Sequence, residues 1–113
     1  MEPPIILNEN GDLSIFDSVR AAEEYVEPID VRNNEYVAFD RNGRRLELRV
    51  VTRRGWPEQV EILEQQDVDS GADELREALY RWLSGLGLEE DKFEGLSLEE
   101  LIHRVRKPSR RRR

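Results

Sequence analysis

Apolar and polar positions alternate along much of this chain. In IILNENGDLSIF, residues 5–16, an Asn-Gly pair stands between two apolar runs. That arrangement predicts a hairpin with residues 5–8 against 13–16. A second Asn-Gly pair, Asn42-Gly43, interrupts EYVAFDRNGRRLELRVV. A two-residue turn there sets Phe39 against Leu46 and Val37 against Leu48 on one apolar face. Asp40 then opposes Arg45, Ala38 opposes Glu47 and Tyr36 opposes Arg49 on a charged face. Strand side chains alternate with period two, so a slip of one residue would exchange the two faces. After the loop RRGWPE, the stretch QVEILEQ at 59–65 predicts a further strand.

Helical spacing replaces alternation elsewhere. In DSVRAAEEYVEPIDV, Asp17 or Ser18 can cap a helix, and Val19, Ala22, Val26 and Ile29 trace one side. Pro28 is expected to end that helix by about Glu27. In SGADELREALYRWLSGLG, the residues Leu75, Leu79, Trp82, Leu83 and Leu86 recur on one side. Ser70 or Asp73 is the expected cap, and Gly85 or Gly87 the expected stop. In LSLEELIHRV, Ser97 with Glu100 three residues on forms a capping box, and Leu98, Leu101, Ile102 and Val105 form the buried side. The predicted order is ββαβββαα. It implies an α+β fold: a small, mostly antiparallel sheet of two hairpins plus a strand, with helices packed on one face. Residues 1–106 read as a single domain and 107–113 as a flexible basic tail.

Charge changes this picture. The chain has 113 residues and a net charge of −7, which hides an uneven distribution. Residues 1–103 carry 25 acidic and 11 basic side chains, whereas Arg104–Arg113 holds seven basic and no acidic ones. An acidic body repels phosphate at long range, which argues against a nucleic-acid-binding fold. There is no cysteine, so disulfides and thiolate chemistry are excluded. No apolar run approaches the roughly 20 residues of a membrane helix, and MEPPIILNE lacks a leader's basic start. A cytoplasmic protein with no membrane partner is expected.

Candidate chemistry is sparse. His103, the single histidine, lies one residue off the apolar stripe of the last helix and reads as a surface residue without catalytic partners. No G-x-S-x-G elbow or phosphate-cradling glycine loop occurs. DVDSGADE, residues 67–74, places carboxylates alternately, as a calcium loop does. Aligned from Asp67, however, the sixth position is Ala72 where glycine is required, and the twelfth is Ala78 where glutamate is required. These carboxylates read instead as favouring a helix N-terminus. No metal, cofactor or catalytic residue is therefore expected. Arg53, Arg54 and Trp56 share one loop, a weak pattern for single-stranded nucleic acid. The arginines of 107–113 could touch RNA or DNA nonspecifically, or sense an acidic surface nearby.

The stretch from Ile6 to Leu48 resembles a group of small, acidic, cytoplasmic bacterial proteins encoded beside polymorphic toxins and regarded as immunity proteins. The resemblance is carried by Ile15-Phe16, Ala22, Tyr25, Pro28-Ile29-Asp30-Val31, Tyr36, Phe39-Asp40 and Gly43-Arg44. It covers less than half the chain and brings no catalytic residues. It implies a non-enzymatic module whose acidic surface neutralises a toxin domain. Acidity suits such a role, because complementary fields speed association with a basic cleft. The expected contributors are Asp67, Asp69, Asp73, Glu74, Glu77, Glu89, Glu90, Asp91 and Glu94, with Tyr80 and Trp56 as aromatic anchors. The alternative is an RNA- or ribosome-associated accessory protein acting through its arginine tail.

Overall fold

In the computed structural model, which describes residues 1–65, 71–89 and 92–106, the first hairpin forms as the alternation predicts. Strands β1 (Ile5–Glu9) and β2 (Asp12–Phe16) pair antiparallel, with Asn8 opposite Leu13. Asn10 and Gly11 both adopt positive φ, 53° and 101°, as a two-residue type I′ turn requires. The Asn8 side chain accepts the Gly11 N–H at 2.8 Å. Next come helices α1 (Val19–Tyr25) and α2 (Pro28–Arg32), strands β3 (Tyr36–Phe39), β4 (Arg45–Val51) and β5 (Gln59–Glu64), and helices α3 (Ala72–Gly85) and α4 (Leu98–Arg106). The strands form one antiparallel sheet in the order β2-β1-β3-β4-β5, an α+β fold.

Three expectations are corrected. First, the helix ends before Pro28 as expected, but Ile29 does not continue its apolar side. Val26 caps α1, and Pro28 then opens α2, where its missing N–H has no helical acceptor to lose. Ile29 thereby turns outward and is 60% exposed, while Val31 packs inward.

Second, the β3–β4 hairpin is shifted by one residue. Ala38 opposes Leu46 and Phe39 opposes Arg45, leaving a five-residue connection at 40–44. The cause is Asp40, which is only 1% exposed. Its carboxylate accepts the backbone N–H groups of Asn42 at 2.9 Å, Arg44 at 3.0 Å and Glu2 at 3.3 Å. A buried carboxylate has to collect donors, and it takes them from the loop. Gly43 completes the turn at φ +81°, and a Cβ there would lie 2.6 Å from Ala72 Cα.

Third, helices cover both faces of the sheet. Ile6, Leu13 and Phe39 pack with Leu75, Leu79 and Leu83 of α3 and Leu101, Ile102 and Val105 of α4. Ile5, Leu7, Ala38, Leu46, Val60 and Ile62 pack on the opposite face with Ala22 and Val26. The consecutive apolar run Ile5-Ile6-Leu7, all buried, is the signature of a strand covered on both sides. On the α4 side, the capping box forms reciprocally: Glu100 N–H donates to Ser97 Oγ at 3.1 Å, and Ser97 N–H donates to Glu100 Oε1 at 3.0 Å. Helix α3 begins at a Gly71 cap with no side-chain bond, in place of the expected Asp73 cap; Ser70 lies outside the described residues.

Candidate functional site

Two of the acids expected around α3 are neutralised from within. Glu74 pairs with Arg45 at 3.3 Å, and Glu77 pairs with Arg81 at 2.5 Å. Asp73, Glu89 and Glu94 are exposed. Tyr80 is half-buried, its ring set edge-on against Phe93 at 5.1 Å, so it serves the core more than a partner. Asp67, Asp69, Glu90, Asp91 and residues 107–113 lie outside the described residues. Trp56 is 68% exposed but does not join this surface. Arg45, which meets Glu74, begins β4, and Trp56 lies beyond its far end at Val51. Seven residues of strand separate them by roughly 20 Å. Arg53 and Arg54 beside Trp56 are exposed and, among the described residues, have no acidic partner within 4 Å.

A different acidic face is assembled by the fold. The β1–β2 turn contributes Glu9 and Asp12, the α1–α2 junction Glu27, α2 Asp30, and the segment before β3 Glu35. Among the described residues, none of these five makes an ion pair. Their mutual influence is visible at Glu9, whose carboxyl is held above the ordinary 4.5 by partial burial, then by Asp30, Glu35, Asp12 and Glu27. Tyr36 lies among them. Burial, followed by Glu9, Asp30, Tyr25 and Glu27, pushes its hydroxyl up to about 12. Tyr25 is 49% exposed and rests on Phe16, with ring centroids 5.0 Å apart. With the exposed Ile29, this face joins uncompensated negative charge to aromatic and aliphatic surface.

Sequence reasoning missed this face because its residues come from four separate elements. A local signal existed in NENGD and EPIDVRNNEY, where acids recur among Asn, Pro and Tyr with Arg32 as the one cation. Only the pairing of Glu9 with Tyr36 across β1 and β3 brings the two stretches together.

Beside this face runs a groove of about 810 Å³ between α1 and β5. Val19, Val26, Val60 and Leu63 supply its apolar lining. Its acids are Glu23, Glu24, Glu27, Glu58 and Glu61, against a single lining cation among the described residues, Arg20. Glu23 is structural, since its carboxylate accepts the Ile62 N–H at 2.8 Å. Because β5 is an edge strand, that bond blocks part of a ladder otherwise open to strand addition. Glu58 is bound by both Arg32 guanidinium nitrogens, which hold its carboxyl below the ordinary range.

His103 is exposed on α4 and makes no hydrogen bond or ion pair with a described residue. Among the described residues no group of three or more His, Asp or Glu is placed to hold a metal ion, and no helix is long and apolar enough to cross a membrane. No family model matches this sequence, and no curated protein or solved structure matches it either.

Proposed function

We propose that this protein is a non-enzymatic binding module that docks a basic surface of another protein. The observation that carries this reading is the face around Tyr36. Glu9, Asp30 and Glu27 bear on Tyr36, and Asp12 and Glu35 bear on Glu9. None of the five has a cationic partner among the described residues, and Tyr25 and Ile29 stand exposed beside them. Leaving like charges together costs folding free energy, whereas a cationic partner converts that cost into binding. Exposed tyrosine provides large contact area at small entropic cost. The resemblance to immunity proteins supplies the biological setting: an acidic module that covers a basic cleft of a toxin domain made beside it.

Co-expression with the product of the neighbouring gene tests the proposal. A stable complex is expected on size-exclusion chromatography. The combined change Glu9→Lys, Asp30→Lys and Glu35→Lys should weaken it at least about tenfold, roughly 1.4 kcal/mol. Failure to form a complex, or a complex indifferent to these three changes, refutes the assignment.

A further inference from the structure

We propose that the open edge of β5 takes an extended, basic segment of another protein as a sixth strand. Strand β5 ends the sheet, with β4 on one side and the groove toward α1 on the other. Ile62 N–H points into that groove, where Glu23 Oε2 accepts it at 2.8 Å. In an antiparallel pair, residues whose amides point away from the neighbouring strand alternate with residues that bond it. Val60 and Glu64 therefore also turn their N–H groups outward, and among the described residues neither finds an acceptor there. Such a row of outward amides is what an added strand recognises.

Glu23 decides which strand can enter. Its carboxylate occupies the place where a carbonyl of the sixth strand would sit. A carbonyl that takes over Ile62 N–H leaves the half-buried Glu23 without its donor, and an unsatisfied carboxylate is costly. A lysine or arginine beside that carbonyl gives Glu23 a new partner; an apolar or acidic residue does not. Glu24 and Glu27 extend the same demand along the helical wall. The pairs Glu24–Arg20 at 3.4 Å and Glu61–Arg49 at 3.5 Å are exposed, so an arriving cation exchanges them at little cost. Side chains of the added strand alternate between the two faces. Every second one meets the α1 acids, and those between meet Leu63 and Glu61.

A second copy of this chain does not meet the demand, because two β5 edges would set Glu23, Glu24 and Glu61 against like charges. The basic occupant rests on the reading of the protein as a module for basic partners, and adds to it the backbone form of the bound segment.

The probe is a synthetic hexapeptide of alternating lysine and valine, titrated into the isotope-labelled full chain at about 0.1 M salt. Amide signals of residues 60, 62 and 64 should move. Hydrogen exchange should slow at Val60 and Glu64, while Glu61 and Leu63, already bonded to β4, change little. Glu24→Lys with Glu61→Lys, whose side chains are 70% and 42% exposed, should weaken binding at least about tenfold. A hexapeptide of alternating glutamate and valine should not bind. The triple change at Glu9, Asp30 and Glu35 should leave the alternating pattern intact. No response at Val60 and Glu64, an equal response to the acidic peptide, or indifference to the Glu24 and Glu61 changes overturns the proposal. If the peptide fails while the complex of the neighbouring gene product still responds to the triple change, the strand addition falls and the docking stands. Slowed exchange at Val60 and Glu64 that grows with protein concentration alone would also overturn it, because a second copy would then hold the edge.

Discussion

Replacing Asp40 by alanine tests whether its buried carboxylate sets the β3–β4 register. The carboxylate is sealed from solvent and accepts three backbone N–H groups, two at 3.0 Å or less. Hydrogen bonds to an ionised group contribute about 1.5–3 kcal/mol each. Counting only the two short bonds at the low end gives about 3 kcal/mol lost in Asp40→Ala. The third bond, at 3.3 Å, and the small void left behind add to this. The avoided burial of a charge subtracts from it. For a chain of this size, about 3 kcal/mol corresponds to a fall in Tm of about 12 °C. Asp40→Asn keeps one oxygen acceptor, so it should lose less. Calorimetry with urea denaturation measures both variants. A loss below about 1 kcal/mol for Asp40→Ala would show that the carboxylate does not hold the 40–44 connection. Fast amide exchange in β3 should accompany the loss, because the β3–β4 register depends on that connection.

Gly43→Ala combines positive φ with a Cβ 2.6 Å from Ala72 Cα and should cost about 3 kcal/mol, read from the same urea curves. Ser97→Ala removes one half of the capping box and should cost about 1 kcal/mol. Glu9 offers a test by pH. Its folded pKa lies above the unfolded value, so the folded state holds the proton more tightly. The stability linked to this group is complete below the unfolded pKa and is lost as pH rises through the raised folded pKa. Glu9→Gln should therefore raise Tm at neutral pH, with the gain vanishing below about pH 4.5. A gain that persists in acid contradicts the acidic face as its origin.

The strands and α3 were legible in the sequence because alternation, Asn-Gly turns and leucine spacing act locally. The Asn10-Gly11 hairpin and the Ser97–Glu100 box needed no tertiary information. The β3–β4 register was not legible. Asp40 looks like a surface partner for Arg45 until Glu2, distant in sequence, is seen to donate to it. The same holds for the second helical layer. A strand buried on both faces and one buried on a single face can each start with an alternating pattern, and only the Ile5-Ile6-Leu7 run distinguished them. The site was least legible. Its charges are set by which acids find arginines, and Glu74 and Glu77 find them whereas Glu9 and Asp30, among the described residues, do not. The Glu77–Arg81 pair follows from i,i+4 helix spacing, whereas the Glu74–Arg45 pair follows from the packed geometry rather than from spacing along the chain.

The central claim is that the unpaired carboxylates around Tyr36 steer and seat a basic protein. Stopped-flow association with the co-expressed partner measures this directly, between about 0.01 M and about 0.15 M salt, as the screening length falls from about 30 to about 8 Å. The account predicts that the wild-type association rate drops on the order of tenfold across that range. With Glu9, Asp30 and Glu35 reversed to lysine, the rate should start low and change little. An equally steep salt dependence in the reversed variant would contradict the claim.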